Sequence, residues 1–182
     1  NIVARVTETE NIMRKTVDTL TMLRPSPYFG RVDIDEDGDE DTLYIGLASV
    51  QDKIGDFLVY DWRAPISGIY YNGTLGAVTY PTPMGEQEAE LLKKRQFTIE
   101  DAQIVNMFDT NETVGDEMLQ YALGQENDLT MRNIVATIQQ EQNQIIRDTT
   151  SDLLVVQGVA GSGKTSAILQ RIAFLLFHAR EE

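Results

Sequence analysis

Eight consecutive residues carry the most readable chemistry in this sequence: Gly158-Val159-Ala160-Gly161-Ser162-Gly163-Lys164-Thr165. They fit G-x-x-x-x-G-K-[ST] at every fixed position. Glycines at such positions let the backbone fold into a concavity whose N–H groups point at phosphate oxygens. A helix that follows adds the positive end of its dipole. Gly158, Gly161, Ser162 and Gly163 are the expected backbone cradle, Lys164 the group that reaches the β- and γ-phosphates, and Thr165 the hydroxyl that ligates Mg²⁺. The implied cofactors are ATP and Mg²⁺, with Lys164 and Thr165 as the catalytic candidates. The alternative is a glycine-rich turn that holds no nucleotide.

Such a loop needs a strand before it and a helix after it. Leu153 to Gln157 is a short apolar run of the kind found in buried parallel strands. From Lys164 to Ala179, Ile168, Ile172, Leu175 and Leu176 mark one face of a helix. Further upstream, Thr137-x-x-Gln140 forms a possible capping box for a helix running to about Arg147. Thr113 to Leu123 reads as a short helix stopped by Gly124.

Residues 25–110 have a different texture. Leu43 to Ser49, Phe57 to Trp62, Ile66 to Tyr71, Ala77 to Tyr80, Leu91 to Ile99 and Gln103 to Phe108 read as short strands, with Glu100-Asp101-Ala102 as a hairpin turn. Their spacing predicts a mostly antiparallel sheet or small barrel. Residues 1–24 read as one amphipathic helix, ended by Arg24-Pro25-Ser26-Pro27 because proline disfavours a helical predecessor. It is either the stump of a longer helical element or an ordinary packing helix. The expected fold class is mixed α+β and α/β: an N-terminal helix, an acidic β-rich region, then the opening of a phosphate-loop domain over 111–182.

Charge and composition narrow the function. The 182 residues hold 15 basic and 29 acidic side chains, net −14. Residues 25–110 alone carry six basic and sixteen acidic groups, net −10. Affinity for nucleic acid comes largely from Lys and Arg on phosphates, so this segment is a poor nucleic-acid binder by itself. The acidity serves solubility or faces a basic protein surface. Absence of cysteine excludes thiolate sites, and a single histidine, His178, excludes a multi-histidine zinc site. No apolar run is long enough to span a bilayer, and the chain opens without a leader or Met, so it reads as cytoplasmic, membrane-free and cut from something longer.

Asp33-Ile34-Asp35-Glu36-Asp37-Gly38 matches the first half of an EF-hand loop, but its twelfth position is Tyr44 where a bidentate Glu is needed. An acidic hairpin turned at Asp37-Gly38 explains it more simply. In Asp61-Trp62-Arg63-Ala64-Pro65, a structural reading is favoured over catalysis: Pro65 rigidifies a strand end, and Asp61 and Arg63 can pair across a turn.

The stretch from Gln142 to Leu176 resembles superfamily 1 helicase-type motors of the UvrD/Rep kind. In that family a glutamine upstream of the phosphate loop reads the adenine edge, and Gln142 stands sixteen residues before Gly158. An amide can donate to and accept from adenine at once; by itself, Gln142 would pass for a solvated helix residue. Tyr28-Phe29-Gly30-Arg31, Tyr60-Asp61-Trp62-Arg63-Ala64-Pro65 and Ile134-Val135-Ala136-Thr137-Ile138-Gln139 resemble the HelD, helicase IV-like branch over about residues 25 to 180. The resemblance implies a RecA-like domain beginning in 111–182, and an ATP-driven factor that binds RNA polymerase and helps release it from nucleic acid. It also implies that helix 1–24 is the returning end of a coiled-coil arm.

A superfamily 1 motor also needs an acidic Mg²⁺ and water-activating motif and arginines for the γ-phosphate, none of which can be identified in these residues. The 182-residue chain alone is therefore expected to turn over ATP negligibly, and contact with nucleic acid is expected only through other parts. The rivals are a UvrD-type helicase acting directly on DNA, which needs a basic strand-binding groove; a protein-interaction module with a vestigial nucleotide site; and a small phosphate-loop kinase, for which the chain has no room after the loop.

Overall fold

A computed structural model describes residues 2–109, 138 and 140–179 of the chain. Helix α1 spans Ile2–Leu23. The strands are β1 (Gly30–Glu36), β2 (Asp39–Gly46), β3 (Val50–Gln51), β4 (Phe57–Asp61), β5 (Gly76–Thr82), β6 (Gly85–Glu100) and β7 (Gln103–Asp109). Between β4 and β5 come a 3₁₀ turn, Pro65–Ser67, and the short helix α2, Gly68–Asn72. Helices α3 (Gln140–Arg147) and α4 (Lys164–His178) complete the described elements. The expected helix at Thr113–Leu123, its Gly124 stop and the Thr137 end of the capping box lie outside the described residues.

The strands form one sheet in the order β3-β4-β2-β1-β6-β5, with β7 also paired to the long β6. Every pairing is antiparallel except β2 with β4. Alternation sets the buried face: Val32 and Ile34 of β1, Leu43 and Ile45 of β2 and Leu91 of β6 turn inward, while Arg31, Asp33 and Asp35 turn out. The molecule is thus a mixed α/β structure with an N-terminal helix and a mostly antiparallel sheet.

The acidic segment forms the β1–β2 hairpin, with Asp37 (φ 56°) and Gly38 (φ 95°) both in the left-handed region that a two-residue turn of this hand requires. Among its carboxylates, Asp35 accepts from the Gly38 N–H at 2.6 Å, and Asp33 accepts from Arg31 and Thr42. Asp101 and Ala102 make the equivalent turn between β6 and β7.

Ile66–Tyr71, expected as a strand, is instead the 3₁₀ turn and α2. A short apolar run buried on all sides has no periodicity to separate helix from strand. Pro65 decides it locally by presetting a helical φ at the first position, and the Ser67 hydroxyl donates to the Asp61 carbonyl at 2.7 Å, closing the turn. Helix α2 then sets Ile69, Tyr70 and Tyr71 into the core, where they meet Phe29, Trp62 and the inner sheet face. Gly30 permits this: a Cβ there would stand 2.6 Å from the Tyr70 ring. Ile138, Ile146 of α3 and Phe174 of α4 belong to the same core.

Inside it sits a lysine. Lys94, 1% exposed, donates to the Gly73 carbonyl at 3.2 Å and lies 5.4 Å from the Tyr70 ring centroid. Burial pushes its ammonium down to about 8. The unfolded chain keeps this proton to about pH 10, so between about pH 8 and pH 10 it binds more protons than the folded chain. Stability, measured by urea unfolding, is therefore expected to climb by roughly 1–3 kcal/mol across that window, and Lys94→Met should abolish the climb.

Candidate functional site

The phosphate-loop sequence forms a turn leading directly into α4. Gly161 (φ 78°) and Gly163 (φ 84°) are both left-handed, and Gly163 is the N-cap of α4. Both conformations strain any residue with a Cβ, which is why the loop uses glycine there. At Gly158 a Cβ would stand 2.6 Å from Ser162 Oγ, which would have to turn aside. The Ser162 N–H donates to the Val159 carbonyl at 3.2 Å, closing the turn. Lys164 opens α4, and its Nζ donates back to the carbonyls of Gly158 and, at 2.8 Å, Val159. The ammonium therefore rests on the rim of its own loop and must leave these carbonyls to meet a phosphate. Thr165 is exposed in the first turn of α4. Lys164 and Thr165 are the side chains that would hold a polyphosphate and its Mg²⁺, and both stand in the first turn of α4. Among the described residues no group of three or more His, Asp or Glu stands ready to hold a metal ion.

Leu153–Gln157, expected as a buried strand, is not one. It is irregular, with Leu153 83% and Val155 72% exposed. A parallel strand exists only where neighbours complete its ladder and helices cover it, and no described strand pairs with this run.

Gln142 is half-buried on α3, and α3 packs along α4, so the glutamine and the loop lysine sit on neighbouring helices. Two arginines fix this packing. Arg171 of α4 donates from Nη1 to the carbonyls of Ile145, at 2.7 Å, and Asp148. Arg147, at the end of α3, donates to the carbonyls of Ala64, at 3.1 Å, and Trp62, and from Nε to Asn143 Oδ1 at 2.7 Å. Its guanidinium lies 5.8 Å from the Tyr71 ring centroid and 5.2 Å from that of Phe174. Burial pushes Arg147 down to about 10, partly opposed by Tyr71 and Asp61. Beyond it, Asp148 closes the turn after α3: it accepts from the N–H groups of Thr150 and Ser151, and hydrogen bonding, from the Ser151 side chain foremost and then the Thr150 N–H, holds its carboxyl down at about 2.

The Asp61–Pro65 segment is the other half of this junction. Asp61, 4% exposed at its side chain, takes a bidentate contact from Arg63, at 2.8 and 2.7 Å, and a third bond from the Arg63 N–H. Arg63 in turn lies 4.7 Å from the Phe177 ring centroid on α4. The expected Asp61–Arg63 pair is present. What the sequence did not reveal is its destination: carbonyls of Trp62 and Ala64, which no side-chain pattern reports, receive an arginine from more than eighty residues away.

Fold and site together define a β-rich acidic region joined to a helix headed by a glycine loop. The chain belongs to the HelD family: residues 2–119 match the family described as DNA helicase IV HelD, N-terminal domain. The match takes in α1, the whole sheet and Asp61–Pro65, while α3, the phosphate loop and α4 lie beyond it. Comparison with curated proteins finds none that matches. No helix among the described residues is long and apolar enough to cross a membrane.

Asp61→Asn removes the charge that Arg63 grips while keeping the shape. It is expected to lower stability by about 1–3 kcal/mol in urea unfolding, and to add little when Arg63 is already replaced by Met.

Proposed function

We propose that the chain is the N-terminal part of an ATP-dependent superfamily 1 helicase-like motor that remodels or releases RNA polymerase complexes. The observation that carries the reading is the glycine loop at the head of α4, with two left-handed glycines and Lys164 over its rim, in a chain of the HelD family. ATP is the nucleotide, Mg²⁺ its partner ion through Thr165, and Gln142 the adenine reader. The run 111–182 opens a RecA-like domain whose remaining strands would complete the ladder that Leu153–Gln157 lacks here.

Two further features support the polymerase-directed part. Helix α1 buries only Leu23, leaving Ile2, Val6, Met13 and Val17 more than half exposed, as befits one strand of a helical arm awaiting its partner. The acidic outer hairpin Asp33–Asp41 suits a basic protein surface better than a polyanion. The matched family's description as a DNA helicase favours a second reading, direct action on DNA, for which other parts must supply a basic groove.

Lys164→Met is expected to weaken Mg-ATP binding to this chain at least tenfold in a fluorescence titration, and to abolish ATP-dependent release of a stalled polymerase complex by the protein that contains it. Little ATP turnover is expected from residues 1–182 alone. ATP binding indifferent to Lys164→Met contradicts the reading; ATP-driven duplex unwinding without any effect on polymerase selects the second.

A further inference from the structure

Helix α3 has eight residues, too few to hold its place by backbone bonds alone. Its C-terminal carbonyls lack partners within the helix. One of them, that of Ile145, and the Asp148 carbonyl just beyond accept from Arg171, which sits on α4 seven residues after Lys164. That is two helical turns, about 10 Å along the axis. A cation at this end also meets the negative pole of α3. From the other side, Arg147 ties the same end of α3 to Trp62 and Ala64, and Ile146 between them is fully buried. The end of α3 is thus pinned to the phosphate-loop helix on one side and to the sheet's α2 corner on the other. Gln142 lies five residues before Arg147, about 7.5 Å along the axis, on the part of α3 that these pins orient.

We infer that Arg171 and Arg147 are positioning residues for base selectivity: they fix the separation between Gln142 and Lys164, so that a triphosphate seated on the loop presents adenine to the glutamine amide. The inference rests on the nucleotide reading above. It also distinguishes the two arginines. Arg171 uses one nitrogen for both carbonyls, a task an ammonium can share; Arg147 uses three separate nitrogens of its planar fork, which lysine cannot copy.

The test titrates the chain with ATP, with inosine triphosphate and with inorganic tripolyphosphate. The parent is expected to prefer ATP over inosine triphosphate by about tenfold, the scale of one bidentate amide–adenine contact. In Arg171→Met and Arg147→Lys the preference should fall toward unity while tripolyphosphate affinity stays within twofold. Arg171→Lys should recover much of the preference, and it keeps the test alive if Arg171→Met does not fold. Equal weakening of all three ligands, or an unchanged preference in a folded Arg171→Met, overturns the inference. Gln142→Ala separates the layers. If it abolishes the preference and the arginine variants do not, the inference alone fails. If Gln142→Ala keeps the preference, or the parent shows none, the adenine reading falls and takes the inference with it.

Discussion

A guanidinium largely withdrawn from water must find acceptors for its donors or cost the fold several kilocalories, and Arg147 places three of its five N–H groups, two of them across the chain. Its acceptors are the Trp62 carbonyl, left over where β4 has ended and the 3₁₀ turn has not begun, and the Ala64 carbonyl, which also accepts from the Ser67 N–H at 3.0 Å. Each side of the contact solves the other's problem. Without the contact the carbonyl of the buried Trp62 would lose its arginine donor, and the Arg147 guanidinium would lose two of its three acceptors. Much else is arranged around the pair: Asn143 orients the fork, Tyr71 and Phe174 flank it, and Asp61 holds Arg63 aside against Phe177.

This junction gives the β-rich region a mechanical relation to the glycine loop. Strand β4 runs from the exposed Phe57 and Leu58 to the buried Asp61. An open apolar groove joins Leu58 and Val59 of that strand to Leu20 and Leu23 at the foot of α1. At its other end β4 leads into the corner that Arg147 grips. Helix α4 begins at Lys164 and ends with Phe174 and Phe177 against the same corner. One short strand therefore lies between the base of the N-terminal helix and the far end of α4.

Local chemistry was legible in the sequence wherever one segment settles its own conformation. The Asp37-Gly38 hairpin follows from turn residues, the glycine loop from a spaced motif, the Asp61–Arg63 pair from proximity along the chain, and the antiparallel sheet from short strands between turns. Failures occurred where distant partners decide. Ile66–Tyr71 has strand-forming residues, yet Pro65 and all-round burial make it helical. Leu153–Gln157 is apolar enough for a strand, but strands are made by neighbours, and none is present among the described residues. The Arg147 and Arg171 contacts end on carbonyls, whose identity is blank to sequence patterns; the only hint was a basic residue in the last turn of α3.

Through Arg147 the α3 end and the α2 corner are expected to open as one cooperative unit. Native-state hydrogen exchange tests it most directly. The amides of Ile69 to Gly73 in and after α2, and those at the C-terminal end of α3, are expected to exchange with a common opening free energy, equal to that of global unfolding. Arg147→Met should then release the α3 amides to exchange by local opening while those of α2 stay protected. Amides of α3 that already exchange far faster than those of α2 in the parent chain would show that the two open separately.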